Sequence, residues 1–113
     1  MVVRVLTAAT NSIGAVPVDV EVQVTESNKD GKFFFSIVGL GDVAIRESRD
    51  RISSAIKSSG FRLPKKILVN LAPAELKKEG AAFDLPIALG ILVGSNQINP
   101  ILLKDTYFFG ELS

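Results

Sequence analysis

The chain has 113 residues, of which 47% are hydrophobic and 22% are charged, and its formal net charge is +1. This composition fits one globular domain, and the near-neutral charge means that any contact with nucleic acid or a membrane depends on a local patch. Cysteine and histidine are both absent. Disulfides, thiolate nucleophiles, histidine metal sites and a Ser-His-Asp triad are therefore excluded within these residues. The N-terminus lacks a charged segment followed by a long apolar core, so we expect no signal peptide and a cytoplasmic location.

The first part of the chain predicts three strands. Residues 3–7 alternate as a short strand, and residues 16–24 carry valine at every second position. That period of two predicts an antiparallel ribbon with one buried face, and Pro17 indicates a strand end or an edge. Residues 27–31 predict a hairpin turn that leads into a strand over residues 33–38.

Three consecutive phenylalanines begin this third strand: Phe33, Phe34 and Phe35. Such a run can stack on nucleic-acid bases, but in an alternating strand it belongs more often to the core. We therefore expect core packing here and keep base stacking as the alternative.

A first helix is predicted over residues 43–59, with Asp42 as its N-cap. Its apolar stripe contains Ile45, Ile52, Ala55 and Ile56. Glu47 and Arg51 are four residues apart in the orientation that favours an ion pair along a helix. Gly60 is the expected residue just past the helix end, and Phe61 should pack back on the last turn.

A buried strand over residues 67–71 should end before Pro73, since proline donates nothing to a sheet. A charged loop follows, and Asp84 is the expected N-cap of a second helix from Leu85, with Pro86 in its first turn. This helix is apolar nearly all round, so other elements must cover it. Gly90 and Gly94 should let another backbone approach closely.

The remaining residues predict a loop over 96–100 and a last strand over 106–112. Residues 101–104 are too short a run to assign.

The sequence resembles a known family over most of its length. The segments VNLAPAELKKEGAAFDLPIALGIL (69–92) and FSIVGLGDVAIRESRDRISSAIKSSGF (35–61) resemble the N-terminal domain of the magnesium-chelatase-like AAA+ ATPase family, the YifB/ComM group. The shorter segments PVDVEVQV (17–24) and YFFGELS (107–113) match in the same order. One departure is Gly41, where the family usually has proline, and it should loosen the turn before the first helix.

The resemblance implies an α+β fold of the ribosomal-protein-S5-domain-2-like type. We expect a mostly antiparallel or mixed sheet of four to five strands with two helices on one face. Residues 1–113 would form a single domain similar to that of Lon protease. The family's domain continues beyond this sequence and an AAA+ module follows it.

The resemblance also implies a parent protein that uses ATP and Mg²⁺ and assembles as a ring, expected to be a hexamer. ComM-type members act as DNA branch-migration helicases. The domain would then dock on its own AAA+ module and on neighbouring subunits, or contact DNA, and no membrane partner is expected.

Lon carries its catalytic serine in a K-D-G-P-S-A-G loop before a buried helix. Residues 78–84 match that loop in position and place Ala82 where the serine stands. A methyl group cannot attack a carbonyl, so a Ser-Lys peptidase is the less favoured alternative. The sequence also lacks G-x-x-x-x-G-K-[ST], so these residues should not hydrolyse ATP and should hold no cofactor themselves.

Two further patterns have simpler interpretations. Gly39, Gly41 and Ala44 outline a dinucleotide-binding fingerprint, but no acidic residue follows at the required distance, so we interpret them as a strand–helix turn. Glu75, Glu79 and Asp84 form an acidic set that could suit a metal. We interpret Asp84 as a helix cap and the two glutamates as parts of a solvated loop, so no metal site is expected.

A basic surface is the remaining candidate for contact with DNA or a partner. Its residues are Arg46, Arg49, Lys57, Arg62, Lys65, Lys66, Lys77 and Lys78. Such a patch can contact phosphates, and an independent nucleic-acid-binding module is therefore the alternative function. The nearby Glu47 and Asp50 favour a neutralised surface instead.

Overall fold

The computed structural model describes residues 2–11, 14–27, 29–73 and 81–113. These residues form four strands: β1 (Val2–Asn11), β2 (Gly14–Thr25), β3 (Phe34–Val38) and β4 (Lys66–Ala72). The two α-helices are α1 (Asp42–Ser58) and α2 (Asp84–Gly94). Short 3₁₀ turns at Ala81–Phe83 and Pro100–Leu103 complete the elements. None of the described helices is both long enough and apolar enough to span a bilayer.

The four strands form one mixed sheet in the order β1-β2-β4-β3. β2 is antiparallel to both β1 and β4, whereas β3 runs parallel to β4. The predicted burial of one face of β2 is confirmed, since Val18, Val20 and Val22 are buried. Pro17 pairs with Ala8 of β1, and the described register of β2 with β4 begins at Asp19. Proline therefore lies towards the N-terminal end of β2, outside the described part of the central ladder.

The predicted hairpin at residues 27–31 is wrong. β2 and β3 are not neighbours in the sheet, because β4 lies between them. Gly31 does adopt the expected positive φ, at 66°, and Asn28 lies outside the described residues. The chain does turn here, but the turn does not pair β2 with β3.

Both predicted N-caps are also wrong. Asp42 and Asp84 are the first helical residues, and the capping positions are Gly41 and Phe83, neither of which makes a side-chain capping hydrogen bond. Both carboxylates lie in a first helical turn, where the helix dipole favours negative charge. The predicted C-terminal glycine of α1 is confirmed, since Gly60 has φ 85° and Phe61 packs against the core.

The apolar helix α2 packs across β1 and β2 and against α1. The predicted close approach at its glycines is confirmed. A Cβ at Gly90 would lie 2.5 Å from Val22 Cγ2, and one at Gly94 would lie 3.0 Å from Val24 Cγ2. The helix therefore sits directly on the sheet, and this contact is the centre of the core. The predicted α+β fold, a mostly antiparallel or mixed sheet of four to five strands with two helices, is confirmed, and the described residues supply four strands.

The predicted last strand at residues 106–112 is wrong. Among the described residues, one parallel bridge, from Leu6 to Tyr107, links this segment to the sheet. Phe108 N–H donates to Leu6 O at 2.9 Å, and the chain then leaves β1 for the start of α2. We call residues 107–112 the C-terminal strap.

Candidate functional site

The turn before α2 holds the residue that the sequence aligned with a catalytic serine. Ala82 lies in the 3₁₀ turn Ala81–Phe83, and its methyl group is exposed. Phe83 is buried and anchors the turn in the core. The preceding residues, including Lys77, Lys78, Glu75 and Glu79, lie outside the described part of the chain. Ala82 is thus presented at the entrance to α2, where its side chain offers no nucleophile.

Asp84, two residues further on, is completely buried and ion-paired. Arg51 Nε on α1 donates to Asp84 Oδ2 at 2.6 Å, and Arg51 Nη2 donates to Asp84 Oδ1 at 3.3 Å. The buried hydroxyl of Ser48 accepts a further hydrogen bond from Arg51 Nη2 at 3.1 Å. The pairing with Glu47 predicted from helical spacing is confirmed only as a longer-range attraction. The direct partner of Arg51 is a carboxylate 33 positions away.

The hydrogen bond to Asp84 raises the pKa of the Arg51 guanidinium above its ordinary value, against the opposing effect of desolvation. The nearby charges of Asp84, Glu111 and Glu47 act in the same direction. A raised pKa in the folded state means that the stabilisation is fully present below the ordinary pKa of arginine. It is lost only as the pH rises through the higher folded value, so this cation does not act as a physiological pH switch.

The C-terminal strap docks on the same place. Gly110 N–H donates to Ala82 O at 2.8 Å, and Leu85 N–H donates back to Gly110 O at 3.0 Å. Leu112 N–H donates to Asp84 Oδ2 at 3.2 Å. Glu111 Oε1 lies 3.9 Å from Arg51 Nε. The Ala82 turn, α1 and the strap therefore meet at one buried carboxylate.

The predicted basic surface is only partly assembled. Arg62 is held by Glu26 through two hydrogen bonds of 2.7 and 3.2 Å, which neutralises it. By contrast, five of the predicted cations make no ion pair with any carboxylate in the described ranges: Arg46, Arg49, Lys57, Lys65 and Lys66. Asp50 does not neutralise them by direct pairing.

The ATP and Mg²⁺ expected of a parent protein need residues that would hold them. The Walker A pattern is absent from the sequence, and the described residues contain no cluster of three metal-ligating side chains. Gly39 has φ 115°, in accordance with its interpretation as a turn residue. We therefore derive no chemical step through ATP or a metal here.

Sequence reasoning missed the pairing of Arg51 with Asp84 and the burial of Ser48. A signal was available, since Ser48 lies in the apolar stripe of α1 between Ile45 and Ile52. Asp84 also opens a helix that has no polar face, so its charge needed a partner from elsewhere. Thr7 continues the alternation of Val3 and Val5 and is buried with them. Its hydroxyl is the one buried side-chain polar atom in the described ranges without a hydrogen bond.

Comparison with known proteins gives consistent matches. The profile of the family described as subunit ChlI of Mg-chelatase matches residues 20–113. Competence protein ComM of Haemophilus influenzae is 47% identical over 95 residues, which are 83% of this chain and 18% of ComM. The uncharacterised protein YifB of Escherichia coli is 42% identical over 108 residues, 95% of this chain and 21% of YifB.

A more distant relative from Mycobacterium bovis, also uncharacterised, is 31% identical over 111 residues, 97% of this chain and 21% of that protein. The chain thus spans about a fifth of the length of these relatives, within the range of 18% to 21%. The family profile covers most of the sequence, including β4, the Ala82 turn, α2 and the strap. The chain belongs to the family of subunit ChlI of Mg-chelatase.

Proposed function

We propose that this chain is a non-catalytic, Lon-like N-terminal domain of a magnesium-chelatase-like AAA+ ATPase that works in the cytoplasm. It acts by surface contact: it docks on the ATPase module, contributes to ring assembly, or contacts DNA as the parent moves a branched substrate. The observation that carries the proposal is the methyl group of Ala82, exposed at the entrance to α2. A nucleophile at that position is the first requirement of the peptidase alternative.

Two further observations support a role without chemistry of its own. The carboxylate beside this turn is buried and committed to Arg51 and Leu112, so it is not available as a general base. The relatives are about five times as long as this chain, since it covers 18% to 21% of them. That leaves room in them for a separate ATPase module, as the proposal requires.

The proposal is tested by reading the coding sequence beyond the codon for Ser113. An open reading frame that encodes G-x-x-x-x-G-K-[ST] is expected, because that motif binds nucleotide phosphates. A stop codon directly after Ser113, or a long downstream frame without the motif, would overturn the assignment to an ATPase. The family membership and the fold would stand in either case.

A further inference from the structure

Two of the three consecutive phenylalanines lie at the surface. Phe35 is 5% exposed and belongs to the core, as predicted, whereas Phe33 and Phe34 are 50% and 46% exposed. The core interpretation of the run is therefore right for one ring and wrong for the other two. Phe33 contacts Phe35 edge to face, with ring centroids 6.3 Å apart, so it is held in place while half its surface meets solvent.

Basic residues lie next to these exposed rings. Phe34 N–H donates to Lys65 O at 2.8 Å, and Phe34 pairs with Lys66 in the register of β3 and β4. Because side chains alternate along a strand and Phe35 faces the core, Phe34 and Lys66 share the face of the sheet that carries no helix. We call Phe33, Phe34, Arg49, Lys65 and Lys66 the aromatic–basic patch.

A cleft of about 290 Å³ lies within the patch, between the start of β3 and α1. The three phenylalanines, Arg49, Asp50 and Ser53 line it. Arg49 Nη1 donates to Phe35 O at 3.0 Å, which fixes the guanidinium beside the rings. Arg49 makes no direct ion pair with a described carboxylate, and neither do Lys65 and Lys66, whereas Asp50 is the one carboxylate that lines the cleft. The cleft and its surroundings therefore combine aromatic faces, a held guanidinium and an excess of positive over negative side chains.

This combination suits an anionic ligand that carries flat rings. Single-stranded nucleic acid has both the negative charge and the rings: its bases are free to stack on aromatic side chains, while lysine and arginine contact its phosphates. In a duplex the bases are stacked on one another, so the same rings would find no partner. We propose that the aromatic–basic patch binds single-stranded nucleic acid, with bases on Phe33 and Phe34 and phosphates on Arg49, Lys65 and Lys66.

The test is a fluorescence-anisotropy titration of this chain against a labelled deoxythymidine oligonucleotide of about 12 nucleotides. Phe34→Ala is expected to weaken binding about ten-fold, because stacking contributes that much per base. Phe109→Ala is the matched control, since Phe109 is also exposed, at 59% against 46% for Phe34, but lies in the C-terminal strap. Phe34→Tyr, which keeps an aromatic face, should bind nearly as the unmodified chain does.

The phosphate contacts are tested by salt dependence. Lys65→Gln combined with Lys66→Gln should reduce the slope of log affinity against log salt by about 1.4, the contribution of two phosphate contacts to a single strand. Arg62→Gln should leave the slope nearly unchanged, since Glu26 already neutralises Arg62. Circular dichroism of every variant shows whether the fold is intact.

Three results would overturn the proposal: no binding of the oligonucleotide at low salt, equal losses from Phe34→Ala and Phe109→Ala, or tighter binding of a duplex of the same length. If Phe34→Ala instead abolishes self-association of the chain, the patch is a contact between protein copies and the proposal fails. The inference rests on the DNA-contact part of the proposed function, for which it names the site and the strand form of the ligand. Its failure would leave a docking or assembly domain intact, and a missing ATPase module would not affect this titration.

Discussion

Asp84 decides how three parts of the chain meet. Its carboxylate is fully buried and takes hydrogen bonds from Arg51 and from Leu112 N–H, while the Arg51 side chain is 22% exposed. A buried carboxylate that loses its cation keeps the cost of desolvation without compensation. The main energetic effect of removing Arg51 is therefore the unpaired, buried carboxylate that remains, and the lost attraction itself matters less.

Arg51→Ala is expected to lower the free energy of unfolding by about 3 kcal/mol, since breaking a buried ion pair from one side is strongly destabilising. Urea denaturation followed by circular dichroism measures the change. Arg62→Ala is the matched control, because Arg62 pairs with Glu26 at a similar distance but in an exposed position. It should change stability little. Equal effects of the two substitutions would show that the burial of Asp84 does not determine how much the free energy of unfolding falls.

Among the elements, α2 depends on its glycines. Gly90 lies against the Val22 and Val5 side chains of the sheet, and a methyl group there would meet Val22 Cγ2 at 2.5 Å. Gly41, just before α1, has open space where its Cβ would be and an ordinary φ of −70°. The two positions thus separate a packing role from a turn role.

Gly90→Ala is expected to lower the free energy of unfolding by about 2 kcal/mol, because an added methyl in a packed core forces the sheet and the helix apart. Gly41→Ala should change stability much less, because the gain from restricting the unfolded chain is opposed by the preference for glycine over alanine at the capping position of α1. Thermal unfolding of both variants measures this difference. A stabilised Gly90→Ala chain, as helix propensity alone would give, would contradict the close contact.

The docking of the C-terminal strap can be tested in the same way. The amides of Phe108 and Gly110 donate hydrogen bonds to Leu6 and Ala82, whereas no hydrogen bond is present for the amide of Phe109. Hydrogen exchange followed by NMR should therefore show slow exchange at Phe108 and Gly110 and fast exchange at Phe109. Uniformly fast exchange over these three residues would mean that the strap is not docked in solution.

Local patterns predicted the elements better than their arrangement. The valine alternation in β2, the all-apolar α2 and the paired glycines follow from periodicity and side-chain size, which operate over a few residues. The hairpin failed because nothing near Gly31 shows that β4, much later in the chain, inserts between β2 and β3. The final strand failed because alternating apolar residues fit a docked strap as well as a strand.

At the candidate site too, local features could be predicted from the sequence, whereas contacts between distant residues could not. Ala82 was located at the entrance to α2 through family resemblance, and Asp84 was correctly placed at the start of that helix. Its pairing with Arg51 depends on how α1 packs beside α2, which no local pattern encodes. Likewise, only the paired strands show that Phe34 lies beside Lys66 on the uncovered face of the sheet.

For the whole molecule, we propose that the domain acts through its surfaces and not through an active site. The helices cover one face of the sheet, and the other face presents exposed apolar side chains such as Val2, Phe34 and Val38. Exposed apolar groups of this kind suit contact with a partner. A Lon-like peptidase would need a reactive hydroxyl at the Ala82 turn instead.

Labelling with a fluorophosphonate probe, which modifies activated serines, tests this claim most directly. The chain is incubated with the probe and examined by intact mass spectrometry, with heat-denatured chain as the control. We predict no adduct beyond the level of the control, because Ala82 carries only a methyl group and an unactivated serine reacts poorly. Stoichiometric modification of one serine in the folded chain, lost on denaturation, would contradict the account.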